Sequence, residues 1–219
     1  MIEELLALAQ WHNLRFLWQG LAVTLQISVL TIIFSFLLGT VLGVMRYSGH
    51  WLLSRLAAVY VEGFRSSPLI LLVLLFRFTT PLKPVNSGTL AMSLFTAAIV
   101  AEVVRGGLNA VDKGQWEAAR SQGFSWIQIL RYVVLPQALR KMIPPLIGQF
   151  ITVVKDTSYV WVTGVEELTG KGVIILGQYG TASQFFAIFG LIGLIYYLLC
   201  WGLQRFGLHQ ERRMSWLTM

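Results

Sequence analysis

Six ionisable residues fall inside or beside apolar runs of this chain: Glu62, Arg65, Glu102, Arg105, Lys155 and Asp156. In hydrocarbon each costs on the order of 2.5–3.5 kcal/mol unless it is paired or wetted. Three acids and three bases make the set neutral. Glu62 and Arg65, like Glu102 and Arg105, are spaced i, i+3, so each pair shares one helix face and can neutralise itself, strut two spans or lock a gate. Lys155 and Asp156 are adjacent and point to different faces, and Thr157-Ser158 beside them can release backbone groups, as broken helices do near a bilayer midplane. Pro68 breaks another run in the same way, next to the hydroxyls of Ser66 and Ser67. No nucleophile with a base is apparent. His12, His50 and His209 lack metal-ligand spacing, so no metal site is expected.

A second group of residues lies outside the apolar runs. Glu117-Ala118-Ala119-Arg120-Ser121-Gln122-Gly123 continues to Val134-Leu135-Pro136-Gln137-Ala138, a compact polar and basic segment. Asp112 can cap a first helix and Gly123 can end it in the left-handed conformation. Ser125 with Gln128 makes a capping box for a second helix, Trp126 to Val134, after which Pro136 turns the chain. Ala118, Ala119 and Gly123 leave little side-chain bulk, so a partner can approach closely, with Glu117 as an acceptor for basic groups. The alternative is an amphipathic helix lying on lipid.

The elements that position these residues follow from composition. Of 219 residues 56% are hydrophobic and 12% charged, against about 25% charged in soluble domains. The chain therefore reads as an all-α integral membrane protein, one domain over residues 1–219. Spans of ~20 residues are expected at about 21–45, 56–78, 90–108, 143–162 and 185–203, five in all, with the polar loop at about 112–135. The second is closed by Pro81 and Pro84. Gly39 and Gly43 form a G-x-x-x-G that suggests close helix packing. Trp11, Trp18, Trp51, Trp161 and Trp216, with Tyr47 and Tyr179, suit interfacial belts. Glu3 and Glu4 precede the first apolar run, unlike the basic start of a signal peptide. The single cysteine, Cys200, excludes an intrachain disulfide.

Basic residues set the sides. Arg46, Arg55, Lys113, Arg120, Arg131, Arg140, Lys141, Arg205, Arg212 and Arg213 fall on one side, and only Arg15, Arg77, Lys83 and Lys171 on the other. The positive-inside rule then places the N-terminus out, the C-terminus in and the polar loop in the cytoplasm. Anionic lipid accounts for the net charge of +7, and no nucleic acid is needed.

Glu117-Ala118-Ala119, Gly123 and Leu135-Pro136 resemble the EAA motif of permease subunits of bacterial ABC importers. Gly20-Leu21, Thr24-Leu25 and Ser28 resemble the first span of the polar amino-acid branch, and Glu62 to Leu69 its second-span motif. Ala101-Glu102, Arg105-Gly106-Gly107 and Lys113 to Arg120 are similar to its third-span-to-loop block. Lys155-Asp156-Thr157-Ser158 and Glu167-Leu168-Thr169 are similar to the fourth-span block and the outer segment after it. The resemblance covers nearly the whole chain. Ser66-Ser67 stands where that branch usually has Gly-Thr, and Val111-Asp112 where it commonly has Ile-Pro.

The resemblance implies a MetI-like type I importer permease in a bacterial cytoplasmic (inner) membrane. Its partners would be two ATPase subunits, a second permease of the same or a related chain, and an external substrate-binding protein. Glu117, Ala118, Ala119, Gly123, Leu135 and Pro136 would couple to the ATPase through a coupling helix. ATP-Mg would be bound by that partner, with no cofactor and no catalysis in this chain; Gly170-Lys171-Gly172 lacks the spacing of a phosphate loop. Ser66, Ser67, Pro68, Glu102 and Asp156 would then line a small polar cavity for an amino acid, the carboxylates facing its ammonium. A water-lined path without a defined site is the alternative. Glu62, Arg65, Arg105 and Lys155 would serve as gate or ion-pair residues. A carrier or channel driven by an ion gradient, its buried acids carrying protons, is the competing function.

Overall fold

The computed structural model describes residues 11–178 and 181–215, with side chains over 12–178 and 181–209. Glu3, Glu4, Tyr179 and Trp216, and the side chains of Trp11, Arg212 and Arg213, lie outside the described residues. Among those described, every regular element is helical. The long helices are α1 (Trp11–Tyr47), α2 (Trp51–Arg65), α3 (Leu69–Thr79) and α4 (Pro84–Asn109). The loop follows as α5 (Lys113–Ser121), α6 (Trp126–Ile129) and a π-helical turn, Leu130–Val134. Then come α7 (Leu135–Asp156), a 3₁₀ turn (Thr157–Thr163), α8 (Leu168–Leu176) and α9 (Ala182–Ser215).

Five spans are expected; among the described residues three helices are long and apolar enough to cross a membrane: His12–Tyr47, Pro84–Asn109 and Ala182–His209. A fourth is added if α2 and α3, broken at Ser66–Pro68, count as one. The stretch expected at 143–162 is the shortfall. It is split between the 3₁₀ turn and α7, which starts earlier than expected and carries Arg140, Lys141, Lys155 and Asp156 as well as Pro144 and Pro145. Composition alone does not qualify it. Pro84, expected to close the second span, instead opens α4, the position where its missing N–H costs nothing.

The chain divides into two units. The first comprises Met1–Ile33, Ser67–Ser93 and Ile151–Gly202. Leu17, Leu21, Leu168, Ile175, Ile188 and Ile192 form one apolar cluster there, and Ile27, Met92, Val153, Val160 and Val165 another. The second unit comprises Phe34–Ser66, Leu94–Phe150 and Leu203–Met219. Its larger cluster runs from Val100, Val104 and Leu108 through Ala119, Ile129 and Val134 to Ala138 and Met142, so the polar loop is anchored on α4 and α7. Its smaller cluster is Leu42, Ala57, Val61, Ala98 and Ala101. The G-x-x-x-G packs closely: a Cβ on Gly39 would stand 2.6 Å from the Val100 Cβ, and one on Gly43 2.7 Å from the Val104 Cβ.

Candidate functional site

The loop is built as its caps require. The Asp112 carboxylate accepts the Gly114 N–H at 2.6 Å and starts α5. Gly123, at φ +83°, follows the helix in the left-handed conformation, and nothing lies within 4 Å of the space its Cβ would take. Ser125 donates its N–H to Gln128 Oε1 at 2.8 Å, closing the capping box before α6. From there the structure departs from expectation. Trp126 to Val134 is not one α-helix, and Pro136 does not turn the chain. The helix widens to π geometry over Leu130–Val134, where the Leu135 N–H reaches the Leu130 carbonyl, and continues into α7 with Pro136 as its second residue. A proline cannot donate and its ring crowds the carbonyl four residues back, and a wider turn relieves both.

Of the loop residues singled out, Glu117, Ala118, Gly123, Leu135 and Pro136 are exposed. Ala119 is not: it is buried in the cluster with Val111, Ile129 and Val134. The small outward surface expected of both alanines is therefore Ala118 and Gly123 alone, while Ala119 lets α5 sit close to the body of its unit.

In the same unit Glu102 on α4 gathers three guanidiniums. Arg105 grips it with Nε at 3.0 Å from Oε1 and Nη2 at 2.9 Å from Oε2, as the i, i+3 spacing expects. Arg46, at the end of α1, adds Nη1 at 2.5 Å from Oε1, and Arg65 on α2 stands 3.6 Å from Oε2. Glu62 does not take the local Arg65 partner expected for it; it lies 3.4 Å from Arg46 Nη2 instead. Sequence spacing found the Arg105 arm and missed Arg46, 56 residues away. Ser66 closes α2 by donating its N–H to the Glu62 carbonyl at 3.0 Å.

The first unit holds Ser67, Pro68, Lys155 and Asp156. Pro68 precedes α3, and its carbonyl accepts the Leu71 N–H at 3.1 Å. α7 ends at Asp156 and tightens into the 3₁₀ turn, which packs on α3. Asp156 is half-buried and Lys155 exposed. Thr157, fully buried, donates its hydroxyl to the Val154 carbonyl at 2.7 Å, a back-bond that ends the α-helix at this point. Gly164 closes the turn at φ +82°.

One polar centre was missed. Glu167 precedes α8 and is fully buried. Its carboxylate accepts the N–H groups of Thr169 at 3.1 Å and Gly170 at 2.8 Å, and the hydroxyls of Thr24 at 3.2 Å and Tyr196 at 2.9 Å. Burial pushes its pKa above the ordinary carboxylate value, and the four donors hold that rise back. In the sequence Glu167 figured only in the resemblance to the outer segment after the fourth span, and Glu is not among the residues that favour an N-cap. Lys171, nearly buried, lies over the Phe16 ring at 3.7 Å from its centre and reaches Gln19 at 3.2 Å and Glu166 at 3.4 Å.

The capped polar loop thus lies between α4 and α7, and the chain carrying it matches a known family. Residues 33–216 match the binding-protein-dependent transport system inner membrane component, and the chain belongs to that family. Over 197 residues it is 42% identical to the probable glutamine ABC transporter permease protein GlnP of Bacillus subtilis (strain 168), covering 88% of this chain and 90% of that one. A crystal structure of an amino acid ABC transporter with histidines superposes with a TM-score of 0.85 at 30% identity, over 94% of this chain and 97% of that one. The inward-facing MetNI methionine ABC transporter superposes with a TM-score of 0.77 at 24% identity, over 94% and 99%, which establishes a shared fold.

Proposed function

We propose that this chain is the transmembrane subunit of an ATP-driven importer that carries a polar amino acid across the bacterial cytoplasmic membrane. Its N-terminus is outside, its C-terminus inside, and α7 with the 3₁₀ turn completes a fifth span inside the assembled transporter. Exposed Lys155 supports that reading, because a lysine at membrane depth is covered by water or by a second permease rather than by lipid. The partners are a pair of ATPase subunits that bind ATP-Mg, a second permease of the same or a related chain, and an external binding protein. L-Glutamine is the first substrate to test, given the relative at 42% identity.

The observation that carries the proposal is the loop. A capped helix with Glu117, Ala118 and Gly123 outward, fastened to the body through Ala119, is a docking edge that moves with α4 and α7. Of the five residues expected to contact substrate, Ser67, Pro68 and Asp156 belong to the first unit and Ser66 and Glu102 to the second. Asp156 is assigned the substrate ammonium, since the Glu102 charge is already matched by three guanidiniums. The same matching leaves Glu102 a poor proton carrier and disfavours an ion-gradient mechanism. Affinity purification of the tagged chain from its native host, followed by mass spectrometry, tests the assembly. An ATPase and a binding protein are expected, and uptake by the purified chain alone would overturn the reading.

A further inference from the structure

The three guanidiniums on Glu102 come from three helices, and one of those helices, α4, carries the loop. Val104 and Leu108 on α4 share an apolar cluster with Ala119, Ile129 and Val134. Among the described residues α1 borders that cluster through Tyr47 alone, and no residue of α2 joins it. The apolar contact of α1 and α2 with α4 is made largely of small side chains. Ala57 on α2 lies in one cluster with Ala98 and Ala101 on α4, and Gly39 and Gly43 of α1 lie directly against Val100, Ala101 and Val104. Such faces approach closely but offer few ridges to stop one helix sliding on another. Polar groups supply the fixed points. Arg46, one turn after Gly43, donates to Glu102 and lies 3.4 Å from Glu62 on α2. Its carbonyl accepts the Ser54 hydroxyl at 3.3 Å. Arg65, the last residue of α2, stands 3.6 Å from Glu102 Oε2. Two turns further from the loop, the Tyr60 hydroxyl donates to the Leu94 carbonyl at 2.9 Å, so α2 is pinned to α4 at two levels. All of these residues belong to the second unit.

We propose that Arg46, Arg65 and Glu102 are positioning residues for coupling: the carboxylate clamps the ends of α1 and α2 to the part of α4 that carries the loop. A displacement of the loop by the ATPase then moves three helices together rather than α4 alone. The inference rests on the reading of the loop as the docking edge for that ATPase. Arg105 by itself neutralises Glu102 and occupies both carboxylate oxygens, which also keeps the carboxylate from swinging. The guanidiniums of Arg46 and Arg65 are therefore surplus to neutrality. They stand at helix ends, where a tether acts with the longest lever on the rest of its helix.

The test uses the complete transporter in ATP-loaded proteoliposomes, with its binding protein and radiolabelled L-glutamine, and reads the glutamine taken up per ATP hydrolysed. Arg46→Gln is expected to lower that ratio about five-fold, the worth of one hydrogen bond. The ATPase recovered with the tagged chain should be unchanged, because the docking edge is untouched. Arg46→Lys keeps the charge and is expected to restore most of the ratio. Arg65→Gln removes a half-exposed arm at little cost to the fold, so it separates coupling from stability: the ratio should fall while the unfolding temperature holds. A purely structural role makes uptake and hydrolysis fall in proportion. A constant ratio in either Gln variant overturns the clamp and leaves the docking edge standing. Uptake by the purified chain without any ATPase removes the docking edge, and the clamp with it.

Discussion

Arg46, Arg65 and Arg105 arrive at Glu102 from three helices, and taking one away leaves the others to share a half-buried carboxylate. Arg46→Ala removes the contact closest to Oε1 and the partner of Glu62 together. Its expected cost, discounted for partial exposure, is about 1–3 kcal/mol, read as a lower unfolding temperature in detergent. Arg105→Lys keeps the charge, loses the two-point grip and should cost less than Arg46→Ala. Glu167 carries a pH signature of opposite sense to a surface ion pair. Its folded pKa is raised by burial, so its contribution is fullest below the ordinary carboxylate pKa and declines as pH rises through the raised value. A pH series of unfolding temperatures should show that decline in the native chain and a flatter profile in Glu167→Gln. The i, i+3 rule made Arg105 legible in advance. Arg46 and Tyr196 were illegible because contacts across 56 and 29 residues leave no local pattern.

At the level of elements, the loop separates two neighbouring alanines. Ala119→Leu forces three more heavy atoms into the packed cluster around Ile129 and Val134, an overpacking expected to cost about 1–3 kcal/mol. Ala118→Leu should leave the unfolding temperature alone and reduce the ATPase recovered with the tagged chain. Equal effects on stability from both would contradict the burial described for them. Gly39→Ala places a Cβ 2.6 Å from the Val100 Cβ and should destabilise by about 1–3 kcal/mol, whereas Gly63→Ala, with open space around it, should not. Caps and glycines were readable because each is a rule about a few adjacent residues: Asp112, Gly123 and the Ser125–Gln128 box all sit where the sequence put them. The π turn was not, because it arises from Pro136 meeting a helix that continues on both sides of it. Nor was the inward face of Ala119, which the helical period of so short a segment does not decide.

For the whole molecule, hydropathy read the apolar helices α1, α4 and α9 directly, and does not qualify α7, whose charges and prolines lower it. Lys155, Asp156 and two prolines in α7 are residues that a hydropathy window penalises. The proposed orientation is open to labelling. In a Cys200→Ala background, Lys83→Cys should react with a membrane-impermeant maleimide on intact cells, and Gly49→Cys only after permeabilisation. Reversal of the two would turn the loop away from any cytoplasmic ATPase. Only 11% of the apolar stretch of α9 is buried within this chain, against 67% for α4. Phe186, Tyr197 and Phe206 stand out from it. Tolerance to substitution along that helix therefore reports on what surrounds it. Where Leu replaces Phe186 or Phe206 without effect, the neighbour is fluid and takes any shape; where it does not, the neighbour has a fixed contour of its own, and the helix has been carved to match it.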